Sequence, residues 1–371
     1  MDFKKLASSL LVVGFDGQKP TPEARELIAQ GVTGAILFKR NVGEASQTAG
    51  LCAELKQEAR RPFLLCVDQE GGRVARLRGG CFTEVPPMRS IGSRSDEALA
   101  QDVGRLLARE VRAAGFDVDF APVLDVDTNP ANPVIGDRSL AREAEAVARL
   151  GVAVAKGIES ESVASCGKHF PGHGDTAQDS HLTLPRLPHD MKRLREVELV
   201  PFAAYAKARL ASIMTAHVVF EALDPEIPAT FSSKVLTDLL RKELHFEGVI
   251  ISDDLEMKAV ADRYDMGEAA VRSVLAGVDL LLVCHKPDRQ QKAIDGLAHE
   301  AEKSQAFRRR LEDAARRVED LRARFAAPPR PVAEALAVLE TPEHRALGLR
   351  VRNAGALTTG ADPTAAASRT S

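Results

Sequence analysis

The sequence predicts an α/β protein whose strands close into a (β/α)8 TIM-type barrel, a single domain with a C-terminal helical extension. Eight short apolar runs recur along the 371-residue chain, and each is followed by a segment of helical periodicity. Such alternation requires a parallel sheet covered by helices. Units of about 35 residues suit a closed barrel. An open doubly wound sheet is disfavoured, because Gly14-Phe15-Asp16-Gly17 does not supply a G-x-G-x-x-G fingerprint after the first strand.

The predicted strands are short and apolar, as expected for strands buried on both faces. They are Leu10–Phe15, Gly34–Phe38, Phe63–Val67, Val118–Val123, Ser162–Cys166, Ser212–His217, Gly248–Ser252 and Asp279–Cys284. The segments between them have the periodicity of amphipathic helices. They are Pro22–Gln30, Glu44–Arg60, Ser95–Ala114, Arg142–Ile158, Met191–Arg209, Ser233–Glu243, Met266–Ala276 and Asp288–His299.

The C-terminal part of the chain differs in composition. A charged helical stretch over 301–324 is followed by a proline-rich segment at 327–331 and a short helix. Residues 355–371 are mostly Ala, Thr, Ser and Gly without periodicity, which is typical of disorder. We therefore predict a catalytic barrel domain over 1–340 and an extension over 341–371, largely disordered from about residue 355.

The net charge and the cysteine content limit which macromolecules are expected partners and which cellular compartment is expected. The 50 basic and 53 acidic residues leave a net charge of -3, so neither nucleic acid nor an anionic membrane is an expected partner. The five cysteines form no C-x-x-C pair, which favours a reducing compartment. Residues 6–15 superficially resemble a short signal peptide but lack a small-residue cleavage site, so we predict a strand there. The sequence leaves the oligomeric state open, and a monomer is the default expectation.

Polar residues end or directly follow six of the predicted strands. They are Asp68, Asp125 with Asp127, Lys168 with His169, His217, Asp253 with Asp254, and His285. In a barrel the C-terminal ends of all strands meet on one face, where active sites of this fold lie. Convergence of this many polar groups therefore predicts an enzyme site there.

The stretch Lys168–Thr176, with Asp179-Ser180-His181 just beyond it, concentrates reactive groups after the fifth strand. Asp179 and His181 lie two residues apart, so an extended loop would project both to one side and let the carboxylate orient the imidazole. The pair is then a candidate acid/base. The alternative is a loop histidine that is merely solvated.

The carboxylate pair Asp253-Asp254 follows the seventh strand. A nucleophilic carboxylate must be held rigidly at a cavity and kept ionised, which a strand end near Lys168 provides. The alternative is a capping role, since Ser-Asp-Asp before a helix is a natural N-cap cluster. One residue of the pair could serve each role.

Three further motifs offer ligand-binding groups or suggest a different chemistry. Asp68–Val74, with Arg76 beyond it, presents donors and acceptors, and Arg138 in a proline-set loop could reach over the cavity. A metal site is the alternative hypothesis, since five side chains could serve as metal ligands: His169, His173, His181, His217 and Asp253. The first strand lacks a His-x-His pair, and Lys168 would oppose a nearby metal ion.

Taken together, these motifs resemble glycoside hydrolase family 3, and specifically its single-domain bacterial β-N-acetylglucosaminidases. The resemblance is carried by residues 68–74, 122–139, 168–176, 179–181 and 252–257, in family order. It implies that Asp253 is the nucleophile and that His181, assisted by Asp179, is the acid/base. It also implies a sugar and N-acetyl site whose residues are Asp68, Arg76, Arg138, Lys168 and His169.

The resemblance further implies a retaining exo-glycosidase that needs no cofactor and no metal. Its expected substrate is a small sugar or muropeptide bearing terminal non-reducing β-linked N-acetylglucosamine, in cytoplasmic cell-wall recycling. The absence of Trp and the presence of only two Tyr fit a small polar pocket better than a long polysaccharide cleft. The alternatives are a metal-dependent barrel hydrolase and a non-catalytic amino-sugar-binding module.

Overall fold

The structure, a computed structural model, describes residues 2–178, 183–357 and 360–364. Eight parallel strands form a closed barrel in which each strand pairs with its neighbour in sequence and the first pairs with the last, which confirms the predicted fold class. The barrel strands are Leu11–Val13, Gly34–Ile36, Leu64–Val67, Val118–Asp119, Ala164–Phe170, Ser212–Thr215, Val249–Asp254 and Leu280–Val283. Two small accessory sheets lie outside the barrel and pair Gln69–Gly71 with Val74–Ala75 and Arg186–Leu187 with Val219–Phe220.

The helices surround this barrel. The α-helices are Phe3–Ser8, Pro22–Gln30, Ala45–Ala59, Met88–Gly92, Glu97–Ala113, Ala144–Ser160, Met191–Glu196, Leu199–Lys207, Lys258–Ala261, Met266–Ala276, Pro287–Lys303, Gln305–Phe325, Val332–Ala337 and Pro342–Arg352. A π-helix covers Lys234–Glu243, and 3-10 turns cover Gly136–Arg138, Ala229–Phe231 and Val338–Glu340. No helix within the described residues is both long enough and apolar enough to cross a lipid bilayer.

Two hydrophobic layers hold the barrel together. The larger lies between strands and helices, and a second fills the barrel interior with side chains such as Ile36, Cys66 and Leu282. The helix Gln305–Phe325 contributes Val318, Leu321 and Phe325 to the interior layer. Arg310 of this helix also binds Asp279, at the N-terminal end of the eighth strand. The helix therefore covers the N-terminal end of the barrel, and the opposite end remains for a site.

Most elements differ from their predicted bounds by one or more residues, and three differences are described next. The predicted helix Met191–Arg209 is two helices, because Pro201 has no N–H to continue hydrogen bonding across the junction at Val197. The predicted strand Val118–Val123 ends at Asp119, and Val123 keeps only a single bridge to Lys168. The fifth strand extends beyond its predicted end at Cys166 to Phe170, and Lys168 and His169 lie in its C-terminal part, as predicted.

Candidate active site

A cavity of about 60 Å³, lined by charged and apolar side chains, lies at the C-terminal end of the barrel. Its lining brings together side chains from five barrel strands or the loops that follow them: Asp68, Arg138, Lys168, His169, His173, Asp253, Asp254 and His285. Of the predicted site residues, Asp68, Arg138, Lys168, His169 and Asp253 therefore meet in one place. Arg76 reaches the same group through Asp68, to which its Nη2 donates over 3.2 Å.

Buried charges of opposite sign form the floor of this cavity. Lys168 Nζ lies 2.9 Å from Asp68 Oδ1 and 2.6 Å from Glu70 Oε1. Arg138 donates to both oxygens of Glu70, each over 2.8 Å. Both cations and Glu70 are almost fully buried. Since each buried charge has a close partner of opposite sign, the network holds its donors in fixed positions.

The pKa values of this network favour the charged forms. Burial by itself would raise the pKa of Glu70, but Arg138 and Lys168 outweigh it and hold that pKa well below its usual range. Burial likewise opposes the charge of Lys168, yet Asp68 and Glu70 raise the pKa of its ammonium group. The site therefore presents permanent cationic donors at neutral pH, which suits the binding of hydroxyl and carbonyl oxygens.

Asp125 organises the two histidines of the Lys168–Thr176 motif. Its Oδ2 lies 2.7 Å from His169 Nδ1, and its Oδ1 accepts from the backbone N–H of His173 over 2.6 Å. A carboxylate on Nδ1 fixes the imidazole orientation. Burial, followed by the nearby charge of His169, lowers the pKa of His173 to about 4. His173 is therefore neutral at physiological pH.

The two carboxylates after the seventh strand have different surroundings. Asp254 Oδ1 accepts from the backbone N–H groups of Glu256 and Cys284, and its Oδ2 lies 3.0 Å from His285 Nε2. Asp254 is thus tied to the turn and to the eighth strand. Asp253 is half-buried, lines the cavity, and accepts at Oδ1 from the N–H of Asp254 over 2.8 Å. Of the pair, Asp253 is the one whose surroundings suit the predicted nucleophile.

Asp179 and His181 lie outside the described residues, so their predicted acid/base role stays a prediction. The chain on both sides of them is anchored. Asp175 Oδ2 lies 2.5 Å from His189 Nε2, and Asp175 Oδ1 accepts from Thr128 over 2.9 Å. Asp175 and His189, which lie on either side of the undescribed residues, are therefore held together.

The alternative hypothesis of a metal site included His217 as a ligand. This side chain is buried and does not line the cavity. His217 Nδ1 lies 2.8 Å from Thr230 Oγ1, and its Nε2 lies 3.0 Å from the carbonyl oxygen of Asp254. Within residues 2–178, 183–357 and 360–364, no group of three or more His, Cys, Asp or Glu side chains is arranged to hold a metal ion.

Sequence reasoning did not assign a role to three residues at this site. Glu70 and Asp125 lie in motifs identified from the sequence, but only the structure shows their partners. Glu70 binds Arg138 and Lys168, and Asp125 binds His169. Asp119 is fully buried beneath the network, and burial raises its pKa well above the usual range. Its Oδ1 accepts from the backbone N–H of Gln69 over 2.9 Å, a contact for which the sequence gave no signal.

Comparison with known proteins agrees with this geometry. The family description "Glycosyl hydrolase family 3 N terminal domain" matches residues 4–321. A beta-hexosaminidase of Neisseria meningitidis serogroup C is 43% identical over 273 residues, covering 72% of this chain and 75% of that protein.

Solved structures give the same result. A glycoside hydrolase family 3 beta-N-acetylglucosaminidase from Paenibacillus sp. has a TM-score of 0.87 at 41% identity, covering 95% of this chain and 68% of that chain. NagZ from Neisseria gonorrhoeae, in complex with N-trifluoroacetyl-D-glucosamine, has a TM-score of 0.78 at 35% identity, covering 93% and 98%. With a barrel face of this kind and these relatives, the chain belongs to glycoside hydrolase family 3, in the branch of its β-N-acetylhexosaminidases.

Proposed function

We propose that this chain is a retaining exo-glycosidase that removes terminal, non-reducing β-linked N-acetylglucosamine. The observation that carries the proposal is the position of Asp253. Its carboxylate lines the same cavity as Asp68, Lys168 and His169. An anionic oxygen at a rigid strand end, facing a wall of fixed donors, is the arrangement that nucleophilic displacement at a sugar carbon needs.

In the proposed mechanism, Asp253 attacks the anomeric carbon while His181, oriented by Asp179, protonates the departing glycosidic oxygen. A covalent glycosyl-enzyme results, and His181 then removes a proton from the water that hydrolyses it. Lys168, His169 and Arg138 supply donors to the sugar and its N-acetyl group, with Asp68 and Arg76 completing the subsite. Because these donors are already held by Glu70 and Asp125, little reorganisation is needed as charge develops.

We further propose that the natural substrates are peptidoglycan-derived anhydro-muropeptides, cleaved in the cytoplasm during cell-wall recycling. The resemblance to the single-domain bacterial enzymes supports this assignment. Four of the five free cysteines are buried, which fits a reducing compartment.

The proposal is tested by Asp253→Asn. With an aryl N-acetyl-β-glucosaminide, we expect kcat to fall at least ~1,000-fold, since the attacking oxygen is lost while the donors that bind the sugar remain. Asp320→Asn, the same change on the exposed face of the helix Gln305–Phe325, is the control and keeps full activity. Near-normal turnover by Asp253→Asn would remove Asp253 from the nucleophile role.

Covalent labelling tests the intermediate itself. A slow fluorinated N-acetylglucosaminide should add one sugar to the wild-type chain, and peptide mapping should place it on Asp253. The same reagent should leave Asp253→Asn unlabelled. A label on another carboxylate would reassign the nucleophile.

A chelator distinguishes the metal-dependent alternative. Prolonged dialysis against EDTA should leave turnover unchanged for the proposed mechanism. Loss of turnover that zinc restores would favour metal-assisted hydrolysis instead.

A further inference from the structure

The C-terminal segment of the chain returns to the mouth of the cavity. The helix Pro342–Arg352 packs against Glu97–Ala113, and beyond it the carbonyl oxygen of Ala354 accepts from Arg94 Nε over 2.9 Å. Residues 360–364, here called the tail segment, then lie against Arg73 and Arg76. This part of the chain lies beyond residue 321, where the family match ends.

The tail segment binds Arg76 directly. Asp362 Oδ2 accepts from Arg76 Nη1 over 2.5 Å, and Thr364 Oγ1 accepts from Arg76 Nη2 over 2.8 Å. The carbonyl oxygen of Ala361 accepts from Arg73 Nη1 over 3.4 Å. Asp362 Oδ1 also accepts from the N–H of Thr364 over 2.9 Å, which closes the segment into a compact turn. Both terminal nitrogens of Arg76 are therefore engaged by the tail segment.

The same contacts place Thr364 in the wall of the sugar site. Thr364 lines the cavity together with Asp68, Lys168 and Asp253. With Thr364 in place, the cavity measures about 60 Å³. Pockets that hold small molecules usually measure at least ~300 Å³. A sugar ring and the tail segment therefore compete for this space and for the guanidinium of Arg76.

We propose that the tail segment is an intramolecular competitor of the sugar, which must withdraw from Arg76 before substrate binds. The inference rests on the proposed function, in which Arg76 contributes to the sugar subsite. Asp362 is the principal contact, because a carboxylate binds a guanidinium more strongly than a neutral sugar hydroxyl does.

The proposed competition requires that the ion pair between Asp362 and Arg76 can open. The Asp362 side chain is 22% exposed, so water and salt reach one side of its ion pair. For substrate to bind, a fraction of molecules must have the tail segment withdrawn. Since only that fraction binds substrate, the apparent affinity falls by the same factor. The effect should appear in KM and leave kcat unchanged.

The test is Asp362→Asn in the full-length chain, with an aryl N-acetyl-β-glucosaminide as substrate. We expect KM to fall roughly three- to tenfold with unchanged kcat, and Thr364→Ala to give a smaller fall of roughly twofold. Glu340→Gln, an exposed carboxylate in the 3-10 turn Val338–Glu340, is the control and should leave KM as in the wild type. An unchanged or higher KM in Asp362→Asn would overturn the proposal.

Salt provides a second measure in the same assay. Raising NaCl from about 0.05 to 0.5 M should lower the KM of the wild type by weakening the ion pair, with little effect on Asp362→Asn. Equal salt dependence in the two proteins would count against the tail segment as an electrostatic competitor.

Hydrogen–deuterium exchange separates this inference from the proposed reaction. In Asp362→Asn, the peptide over 353–371 should exchange faster than in the wild type without any sugar. In the wild type, added N-acetylglucosamine should raise its exchange. Equal exchange in the two proteins, or protection of the peptide by the sugar, would overturn the inference. A wild type that does not turn over substrate but shows the expected exchange would overturn only the proposed reaction.

Discussion

At the scale of single residues, burial decides which groups of the site carry charge. Lys168 and Glu70 are buried with close partners and remain charged. His173 is buried beside His169, and burial lowers its pKa to about 4. Its Nδ1 lies 2.8 Å from Thr176 Oγ1, so the neutral ring takes part in the internal hydrogen bonding of the loop. The sequence marks His173 as a reactive candidate, whereas the structure makes it a neutral structural group.

The lowered pKa of His173 predicts a pH dependence of stability. The unfolded chain binds a proton near the ordinary value of 6.5 and the folded chain only near 4. Protonation therefore favours unfolding, and the stabilisation is complete above pH 6.5 and lost as pH falls toward 4. The pKa difference corresponds to about 3 kcal/mol.

In His173→Asn, the Oδ1 of the new side chain can replace Nδ1 toward Thr176. As pH falls from 6.5 to 4, the unfolding free energy of this variant should decrease by about 3 kcal/mol less than that of the wild type. Denaturant unfolding at several pH values, followed by circular dichroism, measures the difference. Parallel pH profiles for the two proteins would contradict the assignment.

At the scale of elements, glycines set how closely two helices pack. The helices Glu97–Ala113 and Ala144–Ser160 cross with Gly104 and Gly157 at their contact. A Cβ at Gly104 would lie 2.0 Å from the carbonyl oxygen of Val154, and one at Gly157 would lie 2.1 Å from that of Gln101. Each glycine therefore faces the backbone of the other helix, which cannot yield as a side chain can.

Gly104→Ala should lower the unfolding free energy by about 1–3 kcal/mol, because the two helices must separate to fit the methyl group. The matched control is Gly50→Ala in the helix Ala45–Ala59, where a Cβ would meet nothing within 4 Å. That change should raise stability by up to about 1 kcal/mol through helix propensity. Thermal or denaturant melts of both variants provide the comparison, and a neutral Gly104→Ala would show that the crossing is not tight.

At the scale of the whole molecule, the two ends of the barrel have different tasks. A buried Lys–carboxylate contact stands at each end. Lys168 pairs with Asp68 and Glu70 at the cavity. Lys56 pairs with Asp117 over 2.8 Å, just before the fourth strand. Asp117 also accepts from the backbone N–H groups of Leu65 and Ala327, so it joins the barrel to the segment after the helix Gln305–Phe325.

The same substitution at the two lysines should lower stability in both variants but lower activity in only one. Lys56→Met leaves the buried Asp117 without its cation and should lower the unfolding free energy by about 3–5 kcal/mol, with kcat/KM unchanged at 25 °C. Lys168→Met should also lower the unfolding free energy, because it leaves Asp68 and Glu70 without this cation. In addition it should lower kcat/KM roughly 100-fold or more, because it removes a donor from the proposed sugar site. Activity and denaturant unfolding of both variants test the division. A large loss of kcat/KM in Lys56→Met would refute it.

The site could be predicted in part because its residues occupy strand ends. Asp68, Lys168, His169 and Asp253 follow apolar runs, and the topology of a barrel brings all such ends to one face. Glu70, Asp125 and Asp119 were harder to assign, since a carboxylate that orients another side chain has no local sequence pattern of its own. Two boundaries were also missed. The helix break at Val197 depends on the missing N–H of Pro201, and the early end of the fourth strand at Asp119 depends on which backbone groups its neighbours pair with.

The sequence by itself determined the barrel, because alternating strand and helix periodicity is local and repeats eight times. It also predicted that Asp68, Arg138, Lys168, His169 and Asp253 lie on one face of the barrel, where the structure brings them together. Only the tertiary structure decided which contacts these motifs make. It shows that Asp254 binds the turn after the seventh strand, that Asp253 lines the cavity, and that Glu70 pairs with Lys168 and Arg138. The contact of Asp362 with Arg76 joins residues 286 positions apart. Pairings at such separation follow from the path of the folded chain, and no local pattern encodes them.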